Sequence, residues 1–115
     1  MEISIYHNPR CSKSRQTLTL LNERGVEPRI IKYLEEPPTH QQIDSILRGL
    51  DFEPRQLMRR NEKEYKELEL DNPALSRDQL IAAMVSTPKL IERPIVIAGD
   101  QIAIGRPPES VLTIL

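Results

Sequence analysis

The run His7-Asn8-Pro9-Arg10-Cys11-Ser12-Lys13-Ser14-Arg15 sets a thiol among three cationic side chains and a histidine. Cys11 is the only cysteine of the chain. A thiol attacks only as its thiolate, and neighbouring positive charge lowers its pKa. Upstream, residues 2–6 alternate polar and apolar, with Ile3 and Ile5 on one face, and read as a short strand. Downstream, Leu18 and Leu21 begin a helical apolar stripe that runs out near Gly25. Cys11 therefore falls at a strand-to-helix turn, where unpaired N–H groups and the helix dipole favour a thiolate. The same N–H groups suit a tetrahedral oxyanion. A buried, inert core cysteine is the competing reading, and the flanking charges of Arg10, Lys13 and Arg15 weigh against it. Ser14, one turn on, is within reach of a hydrogen bond to the thiolate or is an ordinary first-turn residue. His7 could hold charge near the sulfur, but no base is needed if the thiol is already ionised.

Several elements must position this turn. Ile30, Ile31 and Tyr33 mark a second strand over residues 27–34, so strand, helix and strand fit a βαβ unit. Glu35-Glu36-Pro37-Pro38 ends it. Thr39 then opens a helix, with Gln42 completing a capping box and Ile43, Ile46, Leu47 and Leu50 on one buried face. Pro54 starts a further helix that turns Leu57 and Met58 inward and ends around Arg59 and Arg60. Residues 61–70 suggest a short solvated helix with Tyr65 and Leu68 packed. Ser76 and Gln79 form a second capping box, heading a helix through Ile81, Met84 and Val85 that stops before Pro88. Residues 93–97 make a strand that begins at Pro94, Gly99-Asp100 a two-residue hairpin, and residues 101–104 the return strand. A closing helix spans residues 107–115. The expected architecture is α/β, with a mixed four-stranded sheet covered by helices.

The whole chain narrows the function. Its 115 residues suit one domain with a single core, spanning residues 1–115. Hydrophobic residues make up 38% and charged residues 29%, an ordinary globular balance. Sixteen basic against seventeen acidic residues give a net charge of −1, which argues against a nucleic-acid binder. No apolar run approaches the ~20 residues of a membrane span, and the first residues do not read as a signal peptide. A lone cysteine has no internal disulfide partner, so a reducing cytoplasm is expected.

Three arginines fall at the ends of these elements: Arg59, Arg93 before Pro94, and Arg106 before Pro107-Pro108. Planar guanidinium donors match tetrahedral oxyanions, though spacing alone does not select these three from the other basic residues. The motifs His7-Asn8-Pro9-Arg10-Cys11-Ser12-Lys13-Ser14-Arg15, Tyr33-Leu34-Glu35, Leu57-Met58-Arg59, Glu92-Arg93-Pro94-Ile95-Val96 and Gly105-Arg106-Pro107 together resemble the ArsC-type arsenate reductases of the glutaredoxin-linked kind. The similarity runs over nearly the whole chain and is nearest to that family's shorter subgroup. It implies a thioredoxin-like fold with a helical insertion, and Cys11 as nucleophile. It also implies an oxyanion clamp of Arg59, Arg93 and Arg106, and a cis peptide at Pro94 beside the site. Arg59 is preferred to Arg60 because the family's arginine follows a paired apolar step, here Leu57-Met58.

The resemblance further implies arsenate as substrate, glutathione and glutaredoxin as external thiols, arsenic detoxification as the role, no bound cofactor or metal, and a monomer. Without a second cysteine the chain cannot resolve a Cys11 adduct itself, so an external thiol must. A phosphatase-type Cys-x5-Arg loop is a weaker reading because Thr17 occupies the arginine position, and so is a Cys-x-x-Cys dithiol because Ser14 occupies the second. A regulator of the Spx type that binds RNA polymerase, or a thiol reductase of the same family with another substrate, remain the alternatives.

Overall fold

In a computed structural model, which describes residues 2–115, the chain divides into two compact units. The first comprises residues 2–36 and 93–115, the second residues 37–92.

The first unit carries the sheet. Its strands are β1 (Ile3–Tyr6), β2 (Arg29–Ile31), β3 (Ile95–Ala98) and β4 (Gln101–Ile104), in the order β2-β1-β3-β4. β1 pairs parallel with β2, Ser4 opposite Arg29, and antiparallel with β3, Ile5 opposite Val96. β3 and β4 form an antiparallel hairpin with Val96 opposite Ala103, closed by Gly99 and Asp100. The sheet is thus mixed and four-stranded, as expected. Helix α1 (Ser12–Glu23) joins β1 to β2. Its end is a Schellman turn: Gly25 takes φ +78°, its N–H reaches Asn22 O at 3.0 Å, and Val26 N–H reaches Leu21 O at 2.9 Å. Ile5, Leu21, Val96 and Val111 form the core, with Ile3, Leu18, Val26 and Ile114 packed around them.

Two details differ from expectation. β2 covers three residues rather than residues 27–34, because it is an edge strand: Ile30 is 47% exposed, while Tyr33, beyond the strand in a turn, is buried. The closing element is a 3-10 helix, Pro108–Ile114, not an α-helix. Pro107 and Pro108 lack the N–H groups that a first helical turn elsewhere offers to capping partners.

The second unit is helical. α2 (His40–Leu50) has the predicted capping box, with Gln42 N–H donating to Thr39 Oγ1 at 3.1 Å and Thr39 N–H to Gln42 Oε1 at 2.9 Å. Ile43, Ile46 and Leu47 are buried along its inner face. α3 (Lys63–Glu67) is short, and Leu68 at its end is 49% exposed rather than packed, while Tyr65 and Leu70 turn inward. α4 (Arg77–Ser86) has the second capping box, Ser76 with Gln79. Arg77 bridges α4 to Asp44 of α2 at 2.8 Å. The Pro54 element is a single 3-10 turn, Pro54–Leu57, and an isolated antiparallel bridge then pairs Met58 with Ile91.

Candidate active site

β1 sets the start of the site. After Tyr6, His7 N–H still donates to Ile31 O at 2.8 Å, extending the parallel pairing by one residue. The chain then reverses. Asn8 Oδ1 accepts the Arg10 N–H at 3.0 Å, a local Asx turn, and Asn8 O accepts the Cys11 N–H at 3.0 Å. Cys11 arrives as the N-cap of α1 in extended conformation, φ −93° and ψ 123°.

An N-cap side chain ordinarily offers an oxygen to the free amides of the first turn. Here the side chain is a thiol, which makes no capping hydrogen bond. Burial works against the Cys11 thiolate, but the Ser14 amide, the Arg93 guanidinium by hydrogen bond and charge, and the Lys13 amide together outweigh it. The thiol is held below its ordinary pKa. Its residue is 8% exposed, so the sulfur sits in a depression rather than on an open surface.

Arg106 reaches the same sulfur from the end of β4. Its Nη2 lies 3.5 Å from Cys11 Sγ, while its Nε donates to Arg93 O at 2.7 Å. One guanidinium therefore spans the Arg93 carbonyl and the thiol. The Arg93–Pro94 peptide is cis, in agreement with the resemblance, and so is Arg106–Pro107, which no sequence signal had indicated.

The side chains of His7 and Ser14 pair with each other. His7 Nδ1 and Ser14 Oγ are 2.6 Å apart, and the Asn8 N–H donates to the same Oγ at 3.0 Å. The Ser14 hydroxyl is thus engaged by the loop, and its amide is the part that acts on Cys11. Burial, then Lys32 and Arg15, push the His7 pKa down and favour the neutral ring.

Arg59 belongs to the second unit. Its N–H donates to Leu90 O at 2.7 Å beside the Met58–Ile91 bridge. Its Nη1 lies 2.9 Å from Glu62 Oε1, and its Nε lies 3.9 Å from Glu92 Oε1. Lys89 shares Glu62 at 3.6 Å and Glu64 at 3.4 Å. Arg60, one residue on, is exposed.

Two residues near Cys11 were not singled out from sequence as parts of the site. Thr17, noted there only as the residue replacing a phosphatase arginine, is fully buried. Gly105 is buried against it. A fully buried threonine on the inner face of α1, between Ser14 and Leu21, is invisible to a search for apolar periodicity. Among the described residues, no group of three His, Cys, Asp or Glu side chains could hold a metal ion. None of the described helices is long and apolar enough to cross a membrane.

Residues 6–114 match the ArsC family. The Haemophilus influenzae protein named arsenate reductase is 49% identical over 100% of both chains. The Escherichia coli protein named "Uncharacterized protein YfgD" is 53% identical over 99% of this chain and 97% of its own length. A solved structure titled as the arsenate reductase from Vibrio cholerae superposes with a TM-score of 0.98 at 52% identity, covering 100% of this chain and 98% of that one.

Proposed function

Because this chain belongs to the ArsC family, we propose that it reduces arsenate to arsenite at Cys11, with glutathione and glutaredoxin as the external thiols. The observation that carries this reading is Cys11 at the N-cap position of α1, with Arg106 Nη2 3.5 Å from its sulfur. The relatives named arsenate reductase in Haemophilus influenzae and Vibrio cholerae support the substrate.

The chemistry follows from that arrangement. The Cys11 thiolate attacks arsenic; an S–As bond forms and an As–O bond breaks, its oxygen leaving as water after protonation. Arg93 and Arg106 neutralise the charge that grows on the remaining oxygens. Arg59 is the third member of the clamp in this proposal. Reduction of arsenic(V) to arsenic(III) needs two electrons. Cys11 is the only thiol of the chain, so two external thiols supply them and leave as a disulfide. Hydrolysis of the remaining S–As bond releases arsenite and restores the thiolate. His7 and Ser14 hold the loop, and Pro94 places Arg93. The protein is proposed to act as a monomer in the cytoplasm, without a bound cofactor, in arsenic detoxification.

The test is direct. Purified protein with arsenate, glutathione and glutaredoxin is expected to form arsenite and oxidise glutathione, and Cys11→Ser to do neither while remaining folded. Absence of arsenite from the wild-type reaction rejects arsenate as the substrate.

A further inference from the structure

Gly105 is buried, and its φ lies outside the left-handed region that favours glycine. Backbone freedom does not account for it; space does. A Cβ at this position would meet Thr17 Oγ1 inside contact distance, Pro94 Cγ at 2.8 Å and Thr17 Cγ2 at 3.0 Å. Neither neighbour yields easily. Thr17 is fully buried, and its Oγ1 donates to Lys13 O at 2.8 Å. Pro94 is a buried ring whose carbonyl already accepts the Gly105 N–H at 2.9 Å.

These three residues adjoin everything that surrounds the thiol. Cys11 heads the helix that carries Thr17. Arg93 precedes Pro94, and Arg106 follows Gly105. We propose that the contact of Gly105 with Thr17 and Pro94 is a spacer, and that Gly105 is a positioning residue fixing the distance from the Cys11 sulfur to the Arg93 and Arg106 guanidinium groups. A methyl group at Gly105 must drive the end of β4 away from α1, or Pro94 away from both. Either movement withdraws a guanidinium from the sulfur. The consequence for turnover rests on the reductase reading above, but the consequence for the thiol does not.

Alkylation of Cys11 by iodoacetamide across pH needs no arsenate, glutathione or glutaredoxin, so it separates failure of the spacer from failure of the reductase reading. Gly105→Ala is expected to raise the alkylation midpoint and to lower turnover by about 10²-fold, the scale of a displacement of roughly 1 Å. Gly105→Ala combined with Thr17→Ala removes two of the three crowded contacts and is expected to move the midpoint part of the way back. Thr17→Val keeps the branched shape without the hydroxyl and is expected to keep the wild-type midpoint. An unchanged midpoint in folded Gly105→Ala, or a double variant no better than the single one, overturns the proposal. Should Gly105→Ala not fold, Thr17→Ile crowds the same contact from the helix with glycine in place. A raised midpoint there supports the spacer, and an unchanged one overturns it.

Discussion

Ser14 Oγ and His7 Nδ1, seven residues apart in sequence and both buried, lie 2.6 Å from one another and close the loop that presents Cys11. The same oxygen accepts the Asn8 N–H, so a single hydroxyl ties strand end, turn and helix together. Ser14→Ala leaves the buried His7 Nδ1 and the part-buried Asn8 N–H without this partner. The expected loss of stability is about 1–3 kcal/mol, measured by urea unfolding. The Ser14 amide stays in place, so the alkylation midpoint of Cys11 should move less than in Arg93→Ala.

Cys11 sets the pH profile. Its folded pKa is depressed, so the thiolate persists below the ordinary thiol value of about 8.5 and iodoacetamide labelling stays fast there. The matching contribution to stability is fully present above the unfolded pKa and fades as pH falls through the folded one. The stability gap between wild type and Cys11→Ser should therefore narrow on acidification. A labelling midpoint at or above the ordinary value would remove the activated nucleophile.

Loss of a charge-stabilising donor costs about 10²–10³ in rate, or roughly 3–4 kcal/mol. Arg93→Ala and Arg106→Ala are expected on that scale in arsenite production, and Arg59→Ala with them if the proposed clamp has three members. Lysine at position 106 should restore little. One guanidinium there serves both the Arg93 carbonyl and the sulfur, and an ammonium lacks the planar fork that does so. Arg60→Ala and Arg48→Ala are the controls and should leave turnover near wild type. A crippled Arg60→Ala beside an active Arg59→Ala would shift the register by one residue.

Thr39→Ala breaks a complete capping box at the head of α2 and should cost about 1 kcal/mol by urea unfolding. Ser76→Ala at the head of α4 should behave alike, because its box is also complete.

These capping boxes were legible because each is a local contract between residues three apart. So were β1, the Gly99-Asp100 hairpin and the Gly25 stop, all governed by short-range rules. The limits of β2 were not legible: an edge strand pairs on one side only, and Ile30 and Leu34 remain exposed despite their apolar character. Leu68 misled because α3 ends at Glu67 and leaves it half exposed beyond the helix. At the site, Cys11 was marked by the charges around it, whereas the partners of Arg59 depend on a bridge between residues 33 apart in sequence, Met58 and Ile91. Thr17 and Gly105 carry no chemistry of their own, and only their mutual crowding reveals them.

The N-cap position of Cys11 places the first amides of α1 beside its sulfur. The Lys13 and Ser14 amides serve the Cys11 sulfur for as long as it bears the negative charge. Once that sulfur bonds to an electrophile, its charge is gone and it becomes a poor acceptor, while new anionic oxygens stand one bond further out. The two amides are then released to those oxygens with no movement of the helix. The reaction would thus pass these amides from sulfur to the oxyanion on attack and back to sulfur when product leaves. The first turn of the helix on which the nucleophile stands would serve both stages without rearranging.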